Sequence, residues 1–327
     1  MDKIKLLSCL LDNEYHSGNG LSARLGVSRT VIWKEIKQLR GYGLDIEARH
    51  GKGYRLHDEI DLLDRNELLD DLGQYARGCS MDVLFDTEST NKCLTDLFGQ
   101  PDLHKRIVLA EYQYGGKGRR GRTWISPFAR GLYLSLGWRF DMAPASLNAL
   151  SLASGVAVAR ALAELGISGL SLKWPNDLIL ADKKVGGILL EARGETAASC
   201  DVVIGIGINI RLDKETKSAL DQPVTDLDGH YRNLPSRNRL AGRIIAEQFL
   251  MLERVASGRM GEYVAEWKNL DYLSGRQAEL HMPGQVVRGH VRGVDNNGLL
   301  LLETCGNIEK YSSGEVRVTR LSHQVMR

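Results

Sequence analysis

Residues 131 to 140 read GLYLSLGWRF, and the pattern of this stretch decides which kind of sheet the chain can form. Large apolar side chains occupy every second position from Leu132 to Phe140, which is the period of a strand with one buried face. Further strand-like runs stand close to it along the chain, several with no helical pattern in between. These runs occupy residues 81–85, 106–112, 170–174, 185–192 and 202–210.

Helical patterns are fewer than strand patterns in the middle of the chain. They predict helices over Thr90 to Phe98, Ser146 to Leu165 and Arg239 to Ala256. A doubly wound parallel sheet needs a crossover, usually a helix, between successive parallel strands, and this order does not supply one. The pattern therefore predicts an α+β multidomain protein whose central sheet is mixed and mostly antiparallel, with helices on one face.

The first segment of the chain has a helix-turn-helix pattern. Residues 17–40, SGNGLSARLGVSRTVIWKEIKQLR, place apolar residues at helical spacing on both sides of a break at Gly26, and Ser28 is a natural N-cap for the second helix. Residues 43–56 then read as two strands, a wing around a glycine- and lysine-containing turn. The helix-turn-helix spans residues 21–40, and its candidate DNA-binding residues are Ser28, Arg29, Thr30, Trp33, Lys34 and Lys37.

An interaction domain of three helices with solvated lysines is the alternative for this segment. The charge distribution favours DNA, because residues 1–57 hold ten basic and six acidic side chains, whereas the whole chain carries a net charge of only +2. One recognition helix reads a single half-site, so useful specificity requires a dimer.

Cysteine usage and hydropathy indicate the compartment. The five cysteines are scattered and none is spaced as CxxC, which is typical of a reducing environment and argues against a structural metal site. No uninterrupted apolar run approaches 18 residues, and the chain does not start with a charged-then-apolar leader. We therefore expect a cytoplasmic protein without a membrane span.

Residues 115–124, GGKGRRGRTW, place four cations within six positions among glycines. The glycines spell GxGxxG, but no amphipathic helix follows, as a dinucleotide-binding fingerprint requires. A nucleic-acid strip would extend further and carry spaced aromatic residues. A mobile loop that folds over phosphate groups fits the short run better, and a solvated charged loop remains the alternative.

Two other stretches carry candidate binding groups. In LKWPNDLIL, residues 172–180, the turn formers Pro175 and Asn176 place Asp177 at the start of a hairpin strand, with Lys173 and Lys184 close by. Such a trio is often only a surface ion pair. Residues 89–91, Ser-Thr-Asn, stand at a predicted helix start, where hydroxyl and amide groups can hold a small polar ligand.

Taken in order, these stretches give the chain a resemblance to the bifunctional biotin protein ligases, the biotin–acetyl-CoA-carboxylase ligases that also repress biotin operons. The matching segments are Ser89-Thr90-Asn91, Glu111-Tyr112-Gln113, GKGRRGRTW, LYLSL, KWPNDL, KKVGGILLE and GIGIN. The resemblance implies a class II synthetase-like central domain. It also implies formation of biotinyl-5′-AMP from biotin and ATP with accompanying Mg²⁺, and transfer of biotin to a lysine of a biotin carboxyl carrier protein. Operator DNA and a homodimer formed in the adenylate-bound state are the further partners it implies.

The resemblance also assigns residues. Lys184 is expected to contact the biotin carboxylate and the reacting phosphate, and Lys173 and Asp177 to serve the transfer step. The implied catalytic residues are Lys184, Arg119, Lys173 and Asp177. The implied biotin-binding residues are Ser89, Thr90, Asn91, Gln113, Lys117, Gly118, Arg119, Lys184, Gly205 and Gly207. The implied ATP-binding residues are Lys117, Arg119, Arg120, Arg122, Asn176, Lys184 and Asn209, and Trp124 is expected either to support the loop or to belong to the core.

Lys117 departs from the family pattern, because that position more often holds arginine. The charge is kept and the bidentate fork is lost, so we expect weaker retention of the adenylate. Two rival functions remain: a lipoate ligase, which handles a similar carboxylate, and a regulator that senses biotin without catalysis.

The last segment, from Gly275, consists of short alternating runs with a hairpin signal at Asn297-Gly298, which predicts a small SH3-like barrel. It could clamp ATP or the carrier, or serve stability alone. The predicted domains are a winged helix-turn-helix over 1–62, a biotin- and ATP-binding catalytic domain over 63–272, and the SH3-like domain over 273–327. Residues 58–64, DEIDLLD, are the candidate linker.

Overall fold

The computed structural model describes residues 3–196 and 199–318. The outer ends of the first and last predicted domains, residues 1–2 and 319–327, lie outside the described residues.

The first domain is a winged helix-turn-helix, as predicted. Ser17 and Ser28 each accept a hydrogen bond from a backbone N–H in the first turn of the following helix, and Gly26 ends the earlier helix with a φ of 65°. Leu21, Ile32 and other apolar side chains on the inner helix faces form a separate core. The elements are α1 (Lys3–Ser8), α2 (Gly18–Leu25), α3 (Arg29–Gly41), β1 (Ile46–Arg49) and β2 (Gly53–Leu56).

The central domain is built on a seven-stranded mixed sheet. Its strand order is β3-β4-β5-β9-β8-β7-β6, and only the β3–β4 pair within the described residues of this sheet is parallel. That pair is joined by a crossover containing a short helix, as parallel neighbours require. The strands are β3 (Ser80–Thr87), β4 (Arg106–Gln113), β5 (Gly131–Phe140), β6 (Ser171–Lys173), β7 (Asp177–Leu180), β8 (Lys183–Thr196) and β9 (Ser199–Asn209).

The two faces of this sheet are covered differently. Leu132, Leu134 and the other alternate apolar residues of β5 pack in the main core, where the long helices lie. On the opposite face Val108 and Val203 pack with Leu94 of the short helix α5. The prediction of helices on one face is therefore right for the long helices and wrong for α5. The helices are α4 (Arg65–Leu72), α5 (Thr90–Thr95), α6 (Leu150–Glu164), α7 (Lys214–Ser218), α8 (Arg237–Ala256) and α9 (Met260–Asn269).

The segment Pro144–Glu164, which includes α6, is long and apolar enough to cross a membrane by composition alone, with a mean hydropathy of 1.3. Its side chains are not turned outward, however, because 72% of the apolar window is buried inside the protein. Its hydropathy is that of a core helix that packs against α8, α9 and the sheet.

The acidic linker is fastened to the central domain. Arg237 donates to the Asp61 carbonyl oxygen over 2.6 Å, and its backbone N–H donates to the Asp61 carboxylate over 2.5 Å. The Leu63 N–H donates to Glu111 Oε1 over 2.6 Å, and Arg130 forms an ion pair with Asp58. This linker is therefore bound to the central domain and is not a free connection between the two domains.

Tyr42 joins the winged helix to the central domain. It is the C-cap residue of α3, and its ring meets the rings of Phe85, Tyr112 and Phe128 at centroid distances of 5.2, 5.2 and 5.7 Å. Its hydroxyl also donates a hydrogen bond to Asp86. The end of the candidate recognition helix is thus packed on the central domain.

The last domain is a small antiparallel β unit, as predicted, with strand order β13-β12-β11-β10-β14. The turn containing Gly298 lies against Ala149, and the Gly298 carbonyl oxygen accepts a hydrogen bond of 3.0 Å from the Trp174 indole. This contact ties the domain to the KWPND segment. The strands are β10 (Gln277–Met282), β11 (Gln285–Val294), β12 (Leu300–Thr304), β13 (Asn307–Tyr311) and β14 (Glu315–Val318).

Candidate active site

A cavity of about 140 Å³ opens on the sheet face that carries α5. The basic loop, residues 116–124, borders it on one side, and the Gly314–Glu315 segment of the last domain borders it on another. The sequence-predicted residues in its lining are Ser89, Thr90, Asn91, Gln113, Lys117, Gly118, Arg119, Arg120, Arg122, Lys173, Asn176, Asp177, Lys184, Gly205 and Gly207.

One end of the cavity is a polar network at the start of α5, in which Thr90, Asn91 and Ser135 are buried. Gln113 Oε1 accepts from the Thr90 N–H over 2.9 Å and from the Thr90 hydroxyl over 3.1 Å. Ser135 donates to Asn91 Oδ1 over 2.6 Å, and Asn91 donates to Glu191 Oε2 over 2.7 Å. Hydrogen bonds around the buried members of this network hold them in one orientation, as recognition of a small polar ring requires.

Ser135 and Glu191 belong to this network but were not among the predicted site residues. The alternation of β5 is the signal that could have identified Ser135, because it places this hydroxyl on the face opposite the main core. Glu191 lies 100 residues from Asn91, and no local pattern connects them.

Gly205 and Gly207 allow side chains to lie close against β9. A Cβ at position 205 would stand 2.0 Å from Asn91 Oδ1, and one at position 207 would stand 2.6 Å from Trp124 Cε2. Both positions therefore need glycine for the polar network and for the indole to sit where they do. The sequence predicts these glycines for close approach of a ligand, and the structure shows which side chains already approach them.

Trp124 lies across the neighbouring glycines of β8 and β9, with Gly187 paired to Gly207 beneath it. The Lys184 ammonium stands 5.5 Å from the centroid of the Trp124 ring. The indole N–H is buried without a hydrogen-bond partner in the described residues. An apolar ring with an unsatisfied donor inside a polar cavity is available to a ligand.

The lysine–aspartate trio forms as the hairpin pattern predicted. Lys173 and Asp177 are opposite each other in the β6–β7 pair, and Lys184 Nζ lies 2.6 Å from Asp177 Oδ1. The β7–β8 register shifts beside Lys184, between Leu178 and Ile179, and such a bulge re-aims side chains.

Burial lowers the pKa of Lys173, and the nearby Lys184 ammonium acts in the same direction, although Asp177 opposes both. Lys173 is therefore easier to deprotonate than an ordinary lysine, which suits a site that handles protons of an amine.

The basic loop is a tight backbone hairpin. The Gly118 N–H donates to the Arg122 carbonyl over 2.7 Å, and the Trp124 N–H donates to the Gly116 carbonyl over 2.9 Å. Its tip passes through Arg120 and Gly121 with φ values of 58° and 74°. Burial, with help from neighbouring Arg120, lowers the pKa of the Arg119 guanidinium, although this side chain stays charged.

The loop arginines touch the last domain, and no pattern in the sequence predicts these contacts. Arg119 and Arg120 donate to the carbonyl oxygens of Gly314 and His281 over 3.5 and 3.4 Å, and Arg122 forms an ion pair with Glu315. The last domain therefore contributes directly to the cavity wall.

The two predicted asparagines are placed differently. Asn176 lines the cavity, and its amide donates to the Ile188 carbonyl over 2.6 Å, which fixes the turn before β7. Asn209 is buried outside the cavity lining, where its amide donates to the Thr225 carbonyl over 3.0 Å. In this arrangement Asn209 holds the segment that contains Val224 and Thr225. The backbone of Val224 pairs with that of Lys184.

The candidate DNA-binding side chains share one exposed face. Trp33 is 57% exposed, and the Lys37 ammonium lies 5.7 Å from the centroid of its ring. Ser28, Arg29, Thr30, Lys34 and Lys37 are exposed on and before the same helix. This is the surface that a recognition helix presents to a groove.

The fold and site together define an enzyme-like cavity rich in cations, joined to a DNA-reading module. Three family models match in the same order: an HTH domain over residues 3–55, the Biotin/lipoate A/B protein ligase family over 85–209, and the Biotin protein ligase C terminal domain over 273–318.

Relatives match over nearly the whole length. The chain is 39% identical over 313 residues to the bifunctional ligase/repressor BirA of Escherichia coli strain K12, with 96% of each chain covered. It is 30% identical over 335 residues to the protein of the same name from Bacillus subtilis strain 168, with 97% of this chain and 98% of that one covered. A biotin protein ligase from Aquifex aeolicus, solved in complex with biotin and ATP, is similar with a TM-score of 0.61 and 25% identity over 74% of this chain and 99% of that one. The chain belongs to the biotin protein ligase family, in the group of bifunctional ligase/repressors.

Proposed function

We propose that this protein joins biotin to ATP as biotinyl-5′-AMP, transfers the biotin to a lysine of a biotin carboxyl carrier protein, and represses biotin-synthesis genes by binding operator DNA. One observation carries the ligase part of this proposal. A single cavity brings together a polar network around the buried Asn91 and a cluster of six cations, Lys117, Arg119, Arg120, Arg122, Lys173 and Lys184.

In the first step a carboxylate oxygen of biotin attacks the α-phosphorus of ATP, and the bond to pyrophosphate breaks. Ser89, Thr90, Asn91 and Gln113 hold the biotin ring, with Gly205 and Gly207 beneath it, while Lys117, Gly118 and Arg119 cover it. Lys184 stands between carboxylate and phosphate, where its charge offsets the repulsion of two anions. The remaining nucleotide contacts come from Arg120, Arg122, Asn176 and, through the segment that it orders, Asn209.

In the second step the carrier's lysine nitrogen attacks the acyl carbon, an amide bond forms, and AMP leaves with the former carboxylate oxygen. Asp177 orients the incoming amine and accepts its proton. Lys173, whose ammonium is destabilised by burial, lies opposite Asp177 in the β6–β7 pair and assists this proton transfer. The closed loop keeps water from the acyl phosphate during the interval between steps.

Mg²⁺ enters with the ATP. The described residues contain no group of three or more His, Cys, Asp or Glu side chains able to hold a metal. Both carboxylates of the cavity lining are also paired with cations, Asp177 with Lys184 and Glu315 with Arg122. These residues do not fit an all-protein magnesium site, whereas a magnesium ion bound by phosphate oxygens needs few protein ligands.

Repression requires a homodimer, because one α3 helix reads one half-site. We propose that the adenylate-bound protein forms this dimer, and that it works in the cytoplasm, where the five free cysteines stay reduced.

Biotin-dependent exchange of labelled pyrophosphate into ATP tests the first step, and transfer of labelled biotin to a carrier domain tests the second. Lipoate in place of biotin serves as the control substrate. Exchange and transfer with biotin, but not with lipoate, are the expected results. Equal rates with lipoate would identify a lipoate ligase instead, and operator binding without exchange would identify a regulator that lacks catalysis.

A further inference from the structure

Two carboxylates line a cavity whose proposed ligand is a polyanion. Asp177 has a role in amine transfer, but Glu315, from the last domain, has none in either chemical step. A carboxylate close to a triphosphate is unfavourable unless its charge is neutralised or it moves away. The presence of Glu315 in this wall therefore needs an explanation.

Glu315 is paired with a cation of the basic loop. Its carboxylate accepts a hydrogen bond from Arg122, whose side chain is 56% exposed, whereas that of Glu315 is 27% exposed. Burial on its own would raise the pKa of Glu315, but the guanidiniums of Arg122 and Arg317 outweigh it and hold this pKa below its usual value. The pair is thus an ionised one at neutral pH.

The backbone beside Glu315 also holds the loop. The Gly314 carbonyl oxygen accepts from Arg119, and a Cβ at position 314 would stand 2.2 Å from Leu280 Cδ1. A larger residue at this position would have to displace the buried Leu280 side chain. Two of the four loop cations are therefore held by two consecutive residues of the last domain.

Glu315 keeps a second partner if Arg122 leaves. Arg317 Nε lies 3.4 Å from Glu315 Oε1 on the same strand. Separation of Arg122 from Glu315 consequently leaves no unpaired charge on the last domain, which lowers the cost of the exchange.

We propose that Glu315 is a positioning residue that holds Arg122, and with it the basic loop, until the phosphate groups of ATP replace Glu315 as the partner of Arg122. The inference rests on the proposed ATP site. In this arrangement part of the free energy of the Arg122–phosphate interaction is spent on breaking the Arg122–Glu315 pair. Glu315 therefore lowers the apparent affinity for ATP and prevents the loop from binding other anions loosely.

The test compares Glu315→Gln with Glu303→Gln, which removes an equivalent ion pair, to Arg292, on the same domain but away from the cavity. The assay is biotin-dependent pyrophosphate exchange at saturating biotin. We expect the KM for ATP to fall about two- to five-fold in Glu315→Gln, the range that a partly exposed ion pair supports. The KM for biotin should stay at its wild-type value, and the urea midpoint should fall no further in Glu315→Gln than in Glu303→Gln. Both KM values should be unchanged in Glu303→Gln.

A double-mutant cycle separates competition from a general effect on structure. Arg122→Gln should raise the KM for ATP by a larger factor in the Glu315→Gln background than in the wild type. In the wild type, the breaking of the Arg122–Glu315 pair offsets part of the free energy of the Arg122–phosphate interaction. In the Glu315→Gln background this offset is absent, so the loss of Arg122 has its full effect. Glu315→Asp, which keeps the charge but shortens the reach, provides a second route if Glu315→Gln folds poorly, with an intermediate fall in KM.

An unchanged KM for ATP in Glu315→Gln would overturn the inference, and so would a raised KM, which would mean that Glu315 aims Arg122 at the phosphate. Absence of biotin-dependent exchange in the wild type would be a failure of the proposed function. That result is distinct from either outcome in the variant.

Discussion

Arg237 Nη1 lies 2.7 Å from Glu111 Oε2, and the two side chains are only 4% and 3% exposed. The same guanidinium donates to the carbonyl oxygens of Asp61 and Gly131, and Glu111 also accepts from the Leu63 N–H. A buried ion pair thus fastens the linker to strands β4 and β5 of the sheet.

Arg237→Met should be strongly destabilising. Removal of one partner leaves the Glu111 carboxylate buried without its counter-charge, which costs about 3 to 5 kcal/mol. Urea unfolding measures this loss. Arg259→Met, just before the following helix, removes an exposed pair with Glu262 and should cost far less. Equal losses would show that the buried pair contributes no more than an exposed one.

The position of a truncation within the linker should matter. A chain lacking residues 1–57 keeps the contacts of Asp58 and Asp61, whereas one lacking 1–62 loses the hydrogen bonds between Asp61 and Arg237. We expect both to lose operator binding and to retain pyrophosphate exchange. The shorter chain should unfold at a lower urea concentration, since hydrogen bonds to charged groups contribute about 1.5 to 3 kcal/mol each. Identical urea midpoints would mean that the contacts of Asp61 do not stabilise the fold.

Lys184→Met should abolish adenylate formation and leave the fold intact. Its ammonium is the cation paired with Asp177 in the cavity, and its proposed work is to bring two anions together. A fall of at least about 100-fold in pyrophosphate exchange is expected, in the range measured for single electrostatic contacts at a reaction centre. The neighbouring Lys183 is exposed and lies outside the cavity lining, so Lys183→Met should exchange normally. Undiminished exchange in Lys184→Met would refute its assignment.

Asp271 gives the stability of the protein a predictable dependence on pH. Burial raises the pKa of this carboxyl to about 6, although the Leu273 and Ser274 N–H groups oppose the shift, and its Oδ2 lacks a hydrogen-bond partner in the described residues. The folded state therefore holds the proton more tightly than the unfolded chain. Its contribution is fully present below about pH 4 and is lost as the pH rises through 6.

Asp271→Asn should accordingly raise the unfolding free energy by about 1 to 3 kcal/mol at pH 8, and this gain should vanish at pH 4. Asp295→Asn is the control, because the expected change in its unfolding free energy has the opposite sign. Burial would raise the pKa of Asp295, but Leu299, Lys310 and Asn297 lower it, so this change should destabilise at pH 8. Thermal unfolding of the two variants at both pH values makes the comparison. A gain for Asp271→Asn that persists at pH 4 would exclude titration as its cause.

Local patterns in the sequence predicted the elements well. The strand over residues 131–140 has the predicted bounds, because alternation depends only on neighbours along the chain. The KWPND hairpin was also placed correctly, since turn formers act locally, and Ser89-Thr90-Asn91 does stand at a helix start, although the Ser89 side chain makes no capping hydrogen bond. Helix α4, with its polar composition and short length, has no comparable periodicity and was not predicted.

Contacts between distant segments could not be predicted. Arg122 and Glu315 are 193 residues apart, and Arg237 and Glu111 are 126 apart, and each is a common residue type in an unremarkable local setting. Which charges meet is decided by how the domains pack, and no spacing in the sequence encodes it. The place of Asn209, buried outside the cavity wall, follows from the same cause.

The ring of Tyr42 has a consequence for genetics. It ends the helix proposed to read the operator, and its three aromatic neighbours stand one to four residues from Ser89, Gln113 and Trp124 in the candidate active-site cavity. A screen for colonies with derepressed biotin genes should therefore return substitutions at this ring that also weaken growth on limiting vitamin. Such alleles would map to the first domain while damaging both activities.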